Sequence, residues 1–157
     1  MDIYKYLKKE YPYFHDEILY FLNSQECIIF GGFVKSILIN SKWNNELDVL
    51  CYNYKKTLSD FTKLFTPDSI EDIDIHTILH YGNYKIDLCN LFTTNDFSFN
   101  CLGLMGENIV SVPNIFLHNI PFLLNQLDNK VGFECKISPN YKQRKEKYKD
   151  WTVVERF

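Results

Sequence analysis

The sequence predicts an α/β or α+β domain organised around an at least partly antiparallel sheet. Three observations carry that prediction. Short apolar runs of strand length recur, among them Cys27-Ile28-Ile29-Phe30 and the alternating stretch Glu46 to Cys51. Helical spacing lies between them, in Phe33, Val34, Ile37 and Leu38 and again in Leu58, Phe61, Leu64 and Phe65. Two further runs, Ile73 to His80 and Tyr84 to Leu91, flank Tyr81-Gly82-Asn83, a strong hairpin signal.

Taken in order, Asp2 to Leu22 reads as one or two helices, with Pro12 suited to a first helical turn. The strand Cys27 to Phe30 ends at Gly31-Gly32, and a helix follows from Phe33 to Ile39. Asn40 to Asn45 is a polar turn before the strand Glu46 to Cys51, and Tyr54 to Phe65 forms an amphipathic helix. Past the hairpin, Asn108 to Val112 reads as a strand and Pro113 opens a helix to about Leu127. Val131 to Ile137 reads as a last strand, and Tyr141 to Lys149 as a charged helix.

The 157 residues fit a single domain, 1–157, with a motif-bearing core at about 26–104 and an extension over 105–157. Apolar content of 46% excludes a disordered chain. A formal net charge of −3 provides no global basic field, so any contact with a polyanion is a local patch. No apolar stretch approaches the roughly 20 residues that span a bilayer, and the N-terminus has no signal-peptide run. The five cysteines are odd in number, scattered and never spaced C-x-x-C, which reads as reduced thiols in a cytosolic protein.

Chemistry concentrates in one ordered set of residues. In an extended strand, residues two apart share a face, so Glu46 and Asp48 project together while Leu47 and Val49 face the core. Paired carboxylates repel unless a cation sits between them, and hard oxygen ligands of this kind suit Mg²⁺ together with substrate phosphates. Asp87, in Lys85-Ile86-Asp87-Leu88, can supply a third acid from a neighbouring strand, as two-metal phosphoryl or nucleotidyl transfer requires. Gly31-Gly32 lets backbone approach phosphates, and Lys35, one turn further on, adds a positive charge.

The order of these elements resembles the DNA polymerase beta-like nucleotidyltransferase superfamily, in particular the head domain of tRNA CCA-adding enzymes and bacterial poly(A) polymerases. The resemblance runs over about residues 26 to 104. It is carried by Ile28-Ile29-Phe30-Gly31-Gly32-Phe33-Val34-Lys35-Ser36, by Glu46-Leu47-Asp48-Val49-Leu50, by Asp87, and by Thr94-Asn95-Asp96-Phe97-Ser98-Phe99-Asn100. It implies a small mixed sheet with helices packed mainly on one side. It also implies that Gly31 and Gly32 cradle a nucleoside triphosphate and that Glu46 and Asp48 bind Mg²⁺ or Mn²⁺. Asp87 would help deprotonate the incoming hydroxyl, Asp96 would lie near the ribose, and Asn100 would brace the loop.

The sequence departs from the family pattern at several places. Glu46 stands where the family has its first metal-binding Asp; Lys35-Ser36 replaces Arg-Asp; Thr94 and Asn95 replace two arginines. About fifty residues follow Asn100, too few for the helical neck, body and tail that grip tRNA, so a stand-alone head is expected. Two function classes stay open. One is a minimal nucleotidyltransferase acting on an RNA end, a protein or a small molecule; the other is a non-catalytic descendant that binds nucleotide or a protein partner.

Other groupings read as structural. Asp72-Ile73-Asp74 lacks a preceding glycine turn and is taken as a strand edge. His76 and His80 make an i, i+4 metal pair only on a helix, and the hairpin signal places them on a strand. His15 and His118 are lone histidines. Lys142, Arg144, Lys145, Lys147 and Lys149, interleaved with Tyr141, Tyr148 and Trp151, read as a solvated helix face with an aromatic inner stripe, the alternative being contacts to phosphates and bases.

Overall fold

The computed structural model describes residues 9, 16–73, 75–90, 96–112, 115–138 and 141–156. Expectations for residues 1–8 and 10–15 (with Pro12 and His15), and for Asp74, Leu91, Thr94, Asn95 and Pro113, fall outside that set.

The elements run α1 (Asp16–Ser24), β1 (Ile28–Phe30), α2 (Gly32–Leu38), β2 (Glu46–Leu50), α3 (Tyr54–Leu64), β3 (Ser69–Ile73), β4 (His76–Tyr81) and β5 (Tyr84–Cys89). A 3-10 turn, Ser98–Cys101, leads into β6 (Leu102–Met105) and β7 (Asn108–Ser111). Then come α4 (Ile120–Asn129), β8 (Val131–Glu134), α5 (Tyr141–Lys145), a 3-10 turn (Glu146–Tyr148) and β9 (Thr152–Glu155). Strands β1 to β7 form one mixed sheet in the order β3-β4-β5-β2-β1-β6-β7, and β8 pairs with β9 separately.

Among the described residues of the large sheet, the β2–β5 pairing is parallel and the others are antiparallel. That one parallel pair sets Asp48 opposite Asp87 and Glu46 opposite Lys85. Because side chains alternate, Leu47, Val49, Ile86 and Leu88 share the other face, and all four are fully buried.

Aromatic side chains bring the helices onto this apolar face. Phe21 of α1 and Phe61 of α3 meet edge to face with centroids 5.7 Å apart, and Phe61 meets Tyr81 at 6.2 Å. Phe33 of α2 packs on Trp43 at 5.4 Å, and Trp43 on Tyr84 at 6.5 Å. Burying each such ring contributes about 2–3 kcal/mol. Trp43 also ties down the start of β2, its Nε1–H donating to the Glu46 carbonyl at 2.7 Å. The opposite face is left for Glu46, Asp48 and Asp87.

The chain's second half differs from the sequence reading in its boundaries. Helix α4 starts at Ile120, not near Pro113, because the Asn119 side chain caps it by accepting the Phe122 N–H at 3.0 Å, with Pro121 in the first turn. Strand β8 stops at Glu134, and a further strand, β9, follows it. Strands β6 and β9 are not among the expected strands, and of β3 only the Asp72-Ile73 edge is expected. β3 is exposed at every position and β9 at all but one, so neither carries the inward–outward alternation that marks a strand. The expected Tyr141–Lys149 helix gives way to a 3-10 turn after Lys145.

Candidate metal-binding site

The parallel β2–β5 pair assembles the acids. Glu46, Asp48 and Asp87 each offer a carboxylate oxygen, and these oxygens lie within 4.8 Å of one another. Burial, with the Glu46 and Asp87 carboxylates alongside, pushes the Asp48 carboxyl up to about 7; Arg144 and Lys147 oppose that rise. Lys85 approaches Glu46 at 3.8 Å. Three hard oxygen donors, one of them held above its ordinary range by burial and by the other two, fit a divalent cation. With no cation bound, the carboxylates repel one another.

Gly31 is fixed by this site. Its φ is +77°, and a Cβ there would stand 2.7 Å from an Asp48 carboxylate oxygen. The backbone turn and the acid therefore touch directly. Gly32, which starts α2, lies against the Asn44 side chain, where a Cβ would meet ordinary contacts at 3.6 Å.

Lys35 points from α2 toward the C-terminal segment. Its Nζ sits 4.3 Å from the Tyr148 ring centroid and 5.7 Å from that of Phe99. Burial, assisted by Lys147, depresses its ammonium to about 7, against the pull of Asp96.

Asp96 and Asn100 lie together but turn inward. Asp96 is fully buried; its Oδ1 accepts from the Phe97 N–H at 3.0 Å and from the Asn100 amide at 3.2 Å. Its Oδ2 has no aligned hydrogen bond, and Arg144 approaches that atom as an ion pair at 3.3 Å. Asn100 in turn accepts from the Tyr148 hydroxyl at 3.1 Å.

This network gives the basic C-terminal stretch a role that a solvated helix face does not have. Tyr148 packs edge-on against Phe97 and Phe99 at 4.8 and 4.7 Å, and Trp151 covers Phe99 at 4.3 Å. On the outer side, Lys142, Lys145, Lys149, Tyr148 and Trp151 help line a cavity of about 510 Å³. A second cavity, of about 500 Å³, lies between α1 and the β6–β7 turn, and none of the three acids lines it.

Two neighbours of the acids escaped the sequence reading. His76 Nδ1 lies 2.8 and 3.0 Å from the two Asp87 carboxylate oxygens. Cys89 stands directly opposite His76, and burial beside Asp87 pushes its thiol up. Both were reachable by counting outward from the Tyr81–Tyr84 turn, since the hairpin register carries His76 to Cys89. His80 does not join them; its Nε2 contacts Glu71 at 2.8 Å.

No family model matches this chain, and no curated protein matches it. Solved structures do. A CCA-adding enzyme in complex with ATP superposes with a TM-score of 0.65 at 17% identity, over 99% of this chain and 42% of that one. The CCA-adding enzyme of Thermotoga maritima, complexed with tRNA, gives 0.64 at 17% identity over 99% and 43%. The apo form of a tRNA-processing enzyme gives 0.62 at 14% identity over 90% and 45%.

This chain shares its fold with the matching portions of those CCA-adding and tRNA-processing enzymes. Its length corresponds to less than half of each of those three proteins. Within this fold, Gly31 and the acids Glu46, Asp48 and Asp87 meet on one face of the sheet, whereas Asp96 and Asn100 are joined to the C-terminal segment. No helix among the described residues is long and apolar enough to cross a membrane.

Proposed function

We propose that this nucleotidyltransferase head transfers a nucleoside monophosphate from a nucleoside triphosphate to a hydroxyl acceptor. The observation that carries the reading is the convergence of three carboxylate oxygens within 4.8 Å on the face that Gly31 adjoins. Glu46, Asp48 and Asp87 would hold Mg²⁺ or Mn²⁺. Divalent cations in such a site neutralise charge on the attacking and leaving oxygens.

The chain's own groups supply the rest. The Gly31-Gly32 backbone, without side chains, lets the triphosphate approach. Lys35 carries positive charge toward it below about pH 7 and loses that charge above. Asp87 accepts the proton of the acceptor hydroxyl, whose oxygen bonds to the α-phosphorus as the α–β bond breaks and pyrophosphate leaves. Asp96 and Asn100 hold the Ser98–Cys101 turn in place through Arg144 and Tyr148. Lysines and aromatic rings line the C-terminal cavity, which none of the three acids lines, and an RNA end is the acceptor that such a surface would suit. All five cysteines are free thiols, which suits a reducing compartment such as the cytoplasm.

The test is incubation with each labelled triphosphate, Mg²⁺ or Mn²⁺, and total RNA or total protein. Label transfer that Asp48→Ala abolishes is the expected result. Absence of triphosphate binding by calorimetry overturns the proposal.

A further inference from the structure

The face that carries the acidic trio also holds a second set of donors of another chemical kind. His76, Asp87 and Cys89 present an imidazole nitrogen, a carboxylate oxygen and a thiol sulfur, all within 4.8 Å of one another. Hairpin pairing sets His76 across from Cys89, and Asp87, two residues from Cys89, points to the same side. The His76 side chain is 29% exposed and that of Asp87 11%, so an ion reaches them from solvent.

Distance and softness agree on the kind of ion. Ligand atoms around a tetrahedral Zn²⁺ stand about 3–4 Å apart, so small side-chain rotations bring this set into range. The imidazole and carboxylate are already 2.8 Å apart. Thiolate and imidazole ligands suit Zn²⁺, whereas Mg²⁺ prefers oxygen donors such as those of Glu46 and Asp48.

We propose that His76, Asp87 and Cys89 form a second metal site, selective for Zn²⁺ or a similarly soft divalent ion, with one position open to water. Asp87 belongs to both sets, so an ion held here draws on a carboxylate that the acidic trio also uses. Zinc availability thereby governs how the trio fills. Binding at this site does not depend on whether the chain transfers nucleotides.

Cobalt serves as the spectroscopic stand-in for zinc. The full chain, stripped of metal, is titrated with Co²⁺ in the presence of excess Mg²⁺. The expected result is a sulfur-to-cobalt charge-transfer band that saturates at equimolar Co²⁺ and is bleached by Zn²⁺. The band persists in Glu46→Gln and disappears in Cys89→Ser. His76→Ala weakens Co²⁺ binding by at least the roughly ten- to hundredfold that loss of a mere supporting partner costs. A folded wild-type protein without the band at saturating Co²⁺ overturns the proposal. So does a band that survives in Cys89→Ser, because the ion is then on another thiol.

Discussion

Replacing Asp48 by Asn should make the metal-free protein more stable, although it removes a site residue. The Asp48 carboxyl is held at about 7 against an ordinary 3.8. At about 1.4 kcal/mol for each tenfold change in proton affinity, keeping it ionised in the folded state costs up to roughly 4 kcal/mol. Partial solvent access and relaxation of the Glu46 and Asp87 side chains reduce that to about 1–3 kcal/mol. The sign follows from proton linkage. Between pH of about 4 and about 7 the folded state holds a proton that the unfolded state has lost, so this group's contribution to stability falls as pH rises through that window and then levels off. Asn stays neutral throughout. Urea unfolding in a chelator should therefore show Asp48→Asn and wild type close together at pH of about 4, with the variant ahead by about 1–3 kcal/mol at pH of about 8. Adding Mg²⁺ at the higher pH should raise the wild-type midpoint far more than that of the variant. A variant no more stable than wild type at pH of about 8, or a gap that does not change with pH, would refute the reasoning.

Three other perturbations follow from the same geometry. Gly31→Ala places a methyl 2.7 Å from the Asp48 carboxylate at φ +77°; it should cost about 1–3 kcal/mol in chemical unfolding and weaken triphosphate binding in calorimetry. Arg144→Met removes the ion-pair partner of the buried Asp96 carboxylate and should cost about 1–3 kcal/mol, because Arg144 is one-third exposed and Lys35 also lies near Asp96. Adding Asp96→Asn should recover much of that loss, and additivity of the two single changes would disprove the pairing. Trp43→Ala opens a cavity between α2 and β5 and frees the start of β2, so we expect a loss of about 3–5 kcal/mol and a lower thermal midpoint.

Apart from β3, which is exposed at every position, the first half of the fold was legible because its elements bury an apolar face. Leu47 and Val49 alternate with Glu46 and Asp48, and Phe33, Val34 and Phe61 fall at helical spacing, so periodicity and burial agree. The hairpin around Gly82 was equally plain, since the turn chemistry is local. The second half resists such reading because its strands are short and β9 is largely exposed, and α4 is positioned by Asn119 instead of by the earlier proline. For the site, the order of Gly31, Glu46, Asp48 and Asp87 could be read from the sequence, but the partners that tune it could not. Arg144 reaches Asp96 across a long sequence separation, and no local pattern marks that pairing. His76 was within reach, had the hairpin register been extended to its end.

The parallel alignment of β2 with β5 makes the third acid of the site a matter of register. Strand side chains have a period of two, so sliding β5 by one residue past β2 would bury Asp87 and turn Ile86 or Leu88 outward in its place. Such a slide removes Asp87 alone, because Glu46 and Asp48 stay together on β2. The two strands are separated in sequence by α3, β3 and β4, so the correct alignment is set remotely, by the β4–β5 turn and the packing of Tyr81 on Tyr84 at 5.5 Å. A single inserted residue that shifted β5 in this way would take Asp87 out of the cluster and leave Glu46 and Asp48 as a pair, while turning buried core residues of β5 outward.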